Sequence, residues 1–153
     1  MSARPEKRPE ESLARQAHIL TMADMNGAMR LFGGRLMSWI DEVSTVAAQR
    51  HSGCRVTTAR VEALEFLAPA HAGDLVEVEG RVTYVGNTSM EVTVRTWLEE
   101  LSGERTLINE ARVTMVALDE QERPCAVPGL ILSTDEERQA FAQARARRAR
   151  HDG

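Results

Sequence analysis

Hydrophobic and polar positions change their period along the chain, and this change separates one long helix from a group of strands. Between residues 31 and 50, apolar residues recur at steps of four, three and four, which is the spacing of one helical face. They are Leu36, Ile40, Val43 and Ala47. Gly33 and Gly34 precede most of this run, and residues 51–53 (His-Ser-Gly) end it. We therefore predict a helix over residues 31–50.

Beyond residue 53 the period falls to two, as in strands with one buried face. Residues 74–84 and 89–98 alternate well, and Gly86 and Asn87 between them form a turn signal, so these two runs predict a hairpin. Residues 55–67 and 108–118 predict two more strands. A short first strand within residues 12–21 and a loop over residues 22–30 precede the helix.

The C-terminal part predicts an irregular connection over residues 124–132 and then a helix, because a hydroxyl followed by acids at residues 133–136 is a typical helix start. Strands grouped behind one long helix favour an α+β fold with an antiparallel sheet and a terminal helix. The second face and the edge of such a sheet need covering, which indicates an oligomer. We expect residues 1–11 to be a flexible segment and residues 12–153 to be a single domain.

Composition narrows the function classes. The chain has 153 residues, a net charge of −4 and only 4% aromatic residues, which argues against nucleic-acid binding. No apolar run approaches the roughly 20 residues of a membrane span, and the charged N-terminus is not a secretory signal. Cys54 and Cys125 are far apart in sequence and have no metal-ligand spacing, so we expect two reduced thiols in a cytoplasmic protein.

The helix start carries the best candidate chemistry. Gly33 and Gly34 could expose free backbone N–H groups to an anion or an oxyanion, or could simply allow close packing. Asp41 lies about two turns after Gly34 on a face with small or apolar residues, where a partly desolvated carboxylate could act as a general base. The alternative is that Asp41 belongs to the solvated side of the helix. Asn26 is a polar amide in the preceding loop or an ordinary turn residue.

Other candidates are weaker. The turn of Gly86, Asn87, Thr88 and Ser89 could hold a phosphate or an amide, or be only a hairpin turn. The histidines lack metal-ligand spacing, and neither a nucleotide-binding glycine motif nor a GxSxG serine-hydrolase elbow is present. The arginines near the C-terminus are interpreted as a solvated helix end rather than a phosphate contact. They are Arg145, Arg147, Arg148 and Arg150.

Taken together, the motifs resemble those of hot-dog-fold acyl-CoA thioesterases. Residues 26–41 read NGAMRLFGGRLMSWID, which is similar to that family's run of an Asn, a Phe-Gly-Gly or His-Gly-Gly, a Leu and a final acid at an interval of fifteen. Further matches lie at residues 58–59, 66–69, 73–74, 82–92 and 116–119, so the similarity covers about residues 12–150. Met29 departs from a frequent glycine, and Arg35 departs from a commonly uncharged residue.

The resemblance implies a helix wrapped by an antiparallel sheet, a homodimer with its active site at the interface, and often a trimer of dimers. Asp41 would activate water, Asn26 of the partner subunit would orient the water or the thioester, and the Gly34 N–H would polarise the carbonyl. The implied acyl and CoA contacts are Gly33, Met37, Thr58, Gly86, Asn87, Thr88 and Ser89. Acyl-CoA is the implied substrate, with no metal and no cofactor beyond the CoA it carries.

Three other functions fit these residues less well. Hot-dog dehydratases usually pair a histidine with an acid, but position 32 is Phe rather than His. A non-catalytic acyl-CoA sensor needs neither Asn26 nor Asp41, and a purely structural oligomerisation domain needs no such site. Because fold alone does not decide among these classes, the residues at the helix start favour the thioesterase.

Overall fold

The computed structural model describes residues 4–152, which form seven strands and two α-helices. In chain order these are β1 (Glu6–Lys7), β2 (Ala14–Ile19), α1 (Gly33–Ser52), β3 (Arg55–Phe66), β4 (Leu75–Val85), β5 (Ser89–Glu99), β6 (Arg105–Leu118), β7 (Gly129–Leu130) and α2 (Asp135–Asp152). No helix within this described part is long and apolar enough to cross a membrane.

Five strands form the main sheet in the order β2-β4-β5-β6-β3, and all neighbouring pairs are antiparallel. The predicted hairpin corresponds to β4 and β5, and β6 begins three residues before the predicted boundary. The α+β class with one long helix against an antiparallel sheet is therefore confirmed. The twelve-residue strand β3 lies at one edge, where most of its side chains are exposed.

Helix α1 covers one face of this sheet with the predicted apolar stripe, whose four members are all buried. The helix approaches the sheet most closely at Gly80, where an added Cβ atom would lie 2.8 Å from Cγ1 of Val43. Phe32 has an extended backbone and caps the helix, so α1 begins two residues later than predicted. It ends at Gly53, whose left-handed φ of 71° suits glycine and whose N–H donates to the Gln49 carbonyl.

Helix α2 packs on the opposite face, as the buried acid Glu91 indicates. Glu91 alternates with Met90 and Val92, which face the core, and its carboxylate accepts a 2.6 Å hydrogen bond from Arg147 Nη2. Arg148 donates to the Ser89 hydroxyl at 2.6 Å. The prediction of a solvated arginine end is therefore wrong for these two arginines, which contact the sheet.

Tyr84 also contacts α2. Its ring centroid lies 4.7 Å from that of Phe141, and the β4–β5 register shifts between Val82 and Tyr84. Strict alternation along residues 74–84 predicts that Tyr84 lies on the same face of the sheet as Val82. The register irregularity explains why the two side chains have different surroundings.

The N-terminal segment is built into the fold from residue 4 onward. Strand β1 pairs in parallel with β7, and residues 9–12 form a 3₁₀ turn whose buried Ser12 hydroxyl accepts the Val82 N–H. The sequence predicts a flexible segment over residues 1–11, but residues 4–11 are bound to the rest of the fold. It predicts an irregular connection over residues 124–132, but this connection contains the strand β7. Residues 1–3 lie outside the described part, and the single-domain boundary at residue 12 stays a prediction.

Candidate active site

Asp41 is exposed on α1 and is held by a single side chain from β3. The Thr58 hydroxyl donates to Asp41 Oδ1 at 2.6 Å, a short distance typical of a hydrogen bond to a carboxylate. Within residues 4–152 this is the only side-chain hydrogen bond to that carboxylate. The sequence predicted partial desolvation for Asp41, which is incorrect for the isolated protomer, because β3 and α1 leave the carboxylate open to solvent here.

Thr58 therefore has a contact that the sequence did not predict. Its Oγ1 also lies 3.4 Å from Met115 Sδ, but a hydroxyl has one hydrogen and the carboxylate is the stronger acceptor. The Thr58 hydroxyl thus orients Asp41, whereas the sequence grouped Thr58 with substrate contacts. Since β3 follows α1 directly after Gly53, the two side chains come together through the sheet, 17 positions apart.

The first turn of α1 combines free amides with two aromatic rings. The N–H groups of Arg35 and Leu36 both donate to the Phe32 carbonyl. Gly33 and Gly34 come before them, at positions where the helix has no carbonyl to accept their N–H groups. A Cβ atom at Gly34 would lie 2.7 Å from Cε1 of Phe32. Close packing against Phe32 is therefore a property of this turn, and the role of the two amides as an anion-binding site stays a prediction.

Phe66 lies over the same turn, because a Cβ atom at Gly33 would be 3.5 Å from its Cζ. Phe32 is 54% exposed, Phe66 52% and Met37 42%. Large apolar side chains left open to this degree around a helix start indicate a surface that a ligand or another subunit covers.

Asn26 has a defined orientation in the loop before α1. Its Oδ1 accepts hydrogen bonds from the Ala28 N–H at 2.9 Å and the Arg30 N–H at 3.2 Å. These bonds fix the amide so that its Nδ2 group is free to donate to a ligand. No hydrogen bond joins Asn26 to Asp41 or Thr58 within the part of this protomer that the structure describes.

The two departures from the family pattern have structural explanations. Met29 has a φ of 62°, the left-handed conformation that favours glycine, which accounts for the glycine frequent at this place. Arg35 Nε lies 3.3 Å from Asp24 Oδ1, so its charge is paired beside the helix start.

The turn at residues 86–89 is largely engaged by the chain itself. The Gly86 N–H donates to the Ser89 carbonyl at 2.9 Å, and the Asn87 carbonyl accepts the Val127 N–H at 2.9 Å. Thr88 is half-buried, and its carbonyl accepts the Ala117 N–H. Ser89 is buried, and its hydroxyl accepts a hydrogen bond from Arg148. Of the groups predicted to contact a ligand at this turn, the exposed Asn87 side chain is therefore the main one still accessible.

A cavity of about 580 Å³ opens beside this turn. Its lining includes Arg4, Tyr84, Asn87, Phe141 and Arg145. Arg4 also donates to the Gly86 carbonyl at 2.7 Å. The sequence analysis missed this contribution of Arg4, because the charged N-terminus was expected to be flexible.

Helix α1 thus combines an exposed acid held by Thr58 with first-turn amides that have no acceptor within the helix, and it packs against an antiparallel sheet. The thioesterase superfamily model matches residues 30–103. An uncharacterised acyl-CoA thioester hydrolase of Bacillus subtilis (strain 168) is 37% identical over 135 residues, which cover 84% of this chain and 78% of that protein.

Solved structures agree with the sequence relatives. An apo-hexameric acyl-CoA thioesterase superposes with a TM-score of 0.92 at 37% identity, covering 97% of this chain and 96% of that one. An acyl-CoA hydrolase from Staphylococcus aureus, in complex with butyryl coenzyme A, coenzyme A and coenzyme A disulfide, gives 0.91 at 32% identity, with coverage of 97% and 91%. The chain therefore belongs to the hot-dog acyl-CoA thioesterases of the thioesterase superfamily.

The Staphylococcus aureus enzyme has also been solved as three alanine mutants, at an asparagine, an aspartate and a threonine. The spacing between those three positions is identical to the spacing between Asn26, Asp41 and Thr58 in this chain. Two further relatives are described as hexameric thioesterases, one of them of broad specificity.

Proposed function

We propose that this protein hydrolyses acyl-CoA to a free acid and CoA, at a site shared by two copies of the chain. The observation that carries the proposal is the 2.6 Å hydrogen bond from Thr58 to Asp41 on the open face of α1. This bond occupies one carboxylate oxygen and leaves the other for water. The names of the relatives and the matched spacing of the three mutated positions support the same reaction.

Asp41 takes a proton from a water molecule as that water attacks the thioester carbonyl. The carbonyl carbon becomes tetrahedral, and the negative charge on its oxygen is stabilised by the Gly34 N–H and the helix dipole. The C–S bond then breaks, and the proton held by Asp41 neutralises the departing thiolate. Direct attack by the Asp41 carboxylate, giving a mixed anhydride that water hydrolyses, is the alternative first step.

Asn26 acts as a donor in this scheme. Because Oδ1 already accepts two backbone N–H groups, only Nδ2 can contact the substrate, and it donates to the thioester oxygen or to the attacking water. Following the family resemblance, we assign the Asn26 that acts with Asp41 to the partner subunit, and the described part of one protomer has no hydrogen bond between the two residues.

The exposed edge strand β3 supports this pairing. Two copies joined along β3 would continue the sheet and cover the open apolar residues Phe32 and Phe66. Closure by a second subunit would also exclude water from around Asp41, which strengthens electrostatic interactions with the substrate. Three such dimers would give a hexamer, the assembly printed for several relatives.

The two parts of the substrate have different predicted contacts. The acyl chain runs beside α1 along Gly33 and Met37, next to the Phe66 ring. The CoA part passes the turn at residues 86–89, where Asn87 is exposed and two arginines line the neighbouring cavity. Positive charge at that cavity suits the phosphates of CoA.

A thiol-release assay over acyl-CoA chain lengths tests the proposal. We expect rapid release of free thiol from at least one acyl-CoA. We expect weaker hydrolysis of the matching N-acetylcysteamine thioester, which keeps the reacting bond but lacks the nucleotide. Saturable binding of acyl-CoA without thiol release would indicate a sensor instead. Hydration of an enoyl-CoA without thiol release would indicate a dehydratase.

A further inference from the structure

Cys54 and Cys125 are adjacent in space although 71 positions separate them in sequence. Their Sγ atoms lie 3.6 Å apart, and both residues are half-buried. The sequence analysis treated them as unrelated thiols, but β3 and β6 bring them together. Arg55, next to Cys54, pairs with Leu118, and the Cys125 N–H donates to the Ala117 carbonyl at 3.0 Å.

We propose that Cys54 and Cys125 form an oxidation site that closes into a reversible intrachain disulfide. The two sulfur atoms need to approach by about 1.5 Å to reach the roughly 2.05 Å of a disulfide. Both cysteines are tied to the sheet, because Cys54 directly precedes β3 and the Cys125 N–H donates to the Ala117 carbonyl of β6.

The surroundings of the pair favour a small neutral oxidant. Both cysteines line a cleft of about 1100 Å³, which opens them to small molecules. The charged residues of its lining are Arg55, Asp119, Glu120 and Glu122. Asp119 is paired with Arg123 at 3.9 Å. Glu120 and Glu122 still outnumber Arg55, so the cleft disfavours anionic disulfides such as oxidised glutathione, whereas hydrogen peroxide carries no charge. Hydrogen peroxide is therefore the oxidant that this cleft admits best.

The reaction balances with peroxide as the two-electron oxidant. One thiol loses its proton, its thiolate attacks a peroxide oxygen and the O–O bond breaks, and the departing hydroxide takes up that proton, so that a sulfenic acid and water form. The second thiol then attacks the sulfenic sulfur, the S–S bond forms, and a second water leaves. Burial and the neighbouring Cys54 raise the pKa of the Cys125 thiol, which suits Cys125 to the role of the resolving thiol.

The disulfide would join two regions that are distant along the chain. It closes a loop containing β3, β4, β5 and β6, and a crosslink over a long loop lowers the entropy of the unfolded chain. We therefore expect the oxidised protein to melt higher than the reduced protein by about 5 °C or more.

Peroxide treatment of the full-length protein tests the proposal directly. We expect titratable thiols to fall from two per chain to none, and the intact mass to lose two hydrogens. Peptide mapping should recover a Cys54–Cys125 crosslink that dithiothreitol reverses. The matched variant Cys54→Ser should retain one thiol and melt at the same temperature before and after treatment. Glu120→Gln should speed oxidation by oxidised glutathione more than oxidation by peroxide.

Three results would overturn the proposal. They are two thiols that remain titratable after peroxide, sulfinic acid on either cysteine without the crosslink, or a crosslink between chains on a non-reducing gel. None of these readouts uses thioester hydrolysis, so failure here is separate from failure of the proposed function.

Discussion

Asp41 differs from its neighbour Glu42 in the side chain that holds it. The Asp41 carboxylate accepts the Thr58 hydroxyl on the open face of α1, whereas the Glu42 carboxylate accepts Gln16 Nε2 at 2.9 Å from the edge strand β2. Both acids are exposed and adjacent in sequence. Glu42 is therefore a natural control for any effect of charge on this helix.

Replacing Asp41 by Asn should lower kcat by about 10²–10⁴-fold, because the amide keeps the shape and an acceptor for Thr58 but cannot take a proton. KM for acyl-CoA should change little, since the proposed CoA contacts are at the turn of residues 86–89 and not at Asp41. Steady-state thiol release measures both constants. Glu42→Gln removes the same charge one residue away and should keep kcat within about twofold of the original. Equal losses in the two variants would mean that Asp41 acts only through the local charge.

His51 gives the protein a pH-dependent stability. It is buried in the last turn of α1, Nε2 is hydrogen-bonded to the Pro128 carbonyl at 2.8 Å, and Nδ1 has no partner within the described residues. Burial lowers the pKa of His51 in the folded protein, although the Pro128 bond opposes the shift. The unfolded chain therefore binds a proton at a higher pH than the folded chain does.

Above about pH 7, His51 should not make the melting temperature depend on pH. As the pH drops from about 6.5 through the lowered pKa of His51, the melting temperature should fall. Calorimetry across pH 5–8 measures this slope. His51→Leu should melt lower at pH 8 because the Pro128 bond is lost, but its slope below pH 6.5 should be shallower. Parallel curves for the two proteins would assign the acid sensitivity to other groups.

At the scale of elements, β3 is an edge strand with mostly exposed side chains, and within the described residues of a single chain no second strand pairs with its outer side. Val61 lies in the middle of this edge strand and is 39% exposed, whereas Leu101, in the turn between β5 and β6, is fully exposed. A lysine on an edge strand opposes pairing with another strand. The two positions therefore separate an effect on strand pairing from an effect of added surface charge.

Val61→Lys should shift the protein to smaller species and lower kcat/KM by at least about tenfold, because each site would lose its partner subunit. Leu101→Lys should keep both the assembly and the activity. Light scattering coupled to size exclusion, followed by thiol release on the same fractions, measures the outcome. Full activity in a monomeric Val61→Lys fraction would place the whole site within one chain.

The sequence predicted every long element, most directly those with strong periodicity, and missed the two shortest strands. Helix α1 and the β4–β5 hairpin follow directly from periods of 3.6 and two. Strands β1 and β7 have two residues each and pair only with one another, so no local pattern marks them. The start of α1 shifted because Phe32 adopts an extended cap, a choice that apolar spacing does not encode.

At the scale of the whole molecule, the candidate site depends on contacts between distant parts of the chain. The sequence identified Asp41 and Asn26 mainly through the family resemblance, since spacing alone did not distinguish Asp41 from a solvated helix acid. The bond between Thr58 and Asp41 depends on how β3 returns past α1, which no local pattern predicts. The turn at residues 86–89 likewise has its groups occupied by Arg148 and Val127, both remote in sequence.

Mixed oligomers of two impaired variants test the shared site most directly. Asn26→Ala and Asp41→Asn chains, each nearly inactive alone, would be co-expressed with different tags and the doubly tagged assemblies purified. A dimer with one chain of each kind contains one site with both residues intact. A purified mixed dimer should therefore have about half of the activity of the unmutated protein, and a mixed hexamer of randomly paired chains about a quarter. Activity no higher than the sum of the two separate variants would contradict a site built from Asp41 of one subunit and Asn26 of the other.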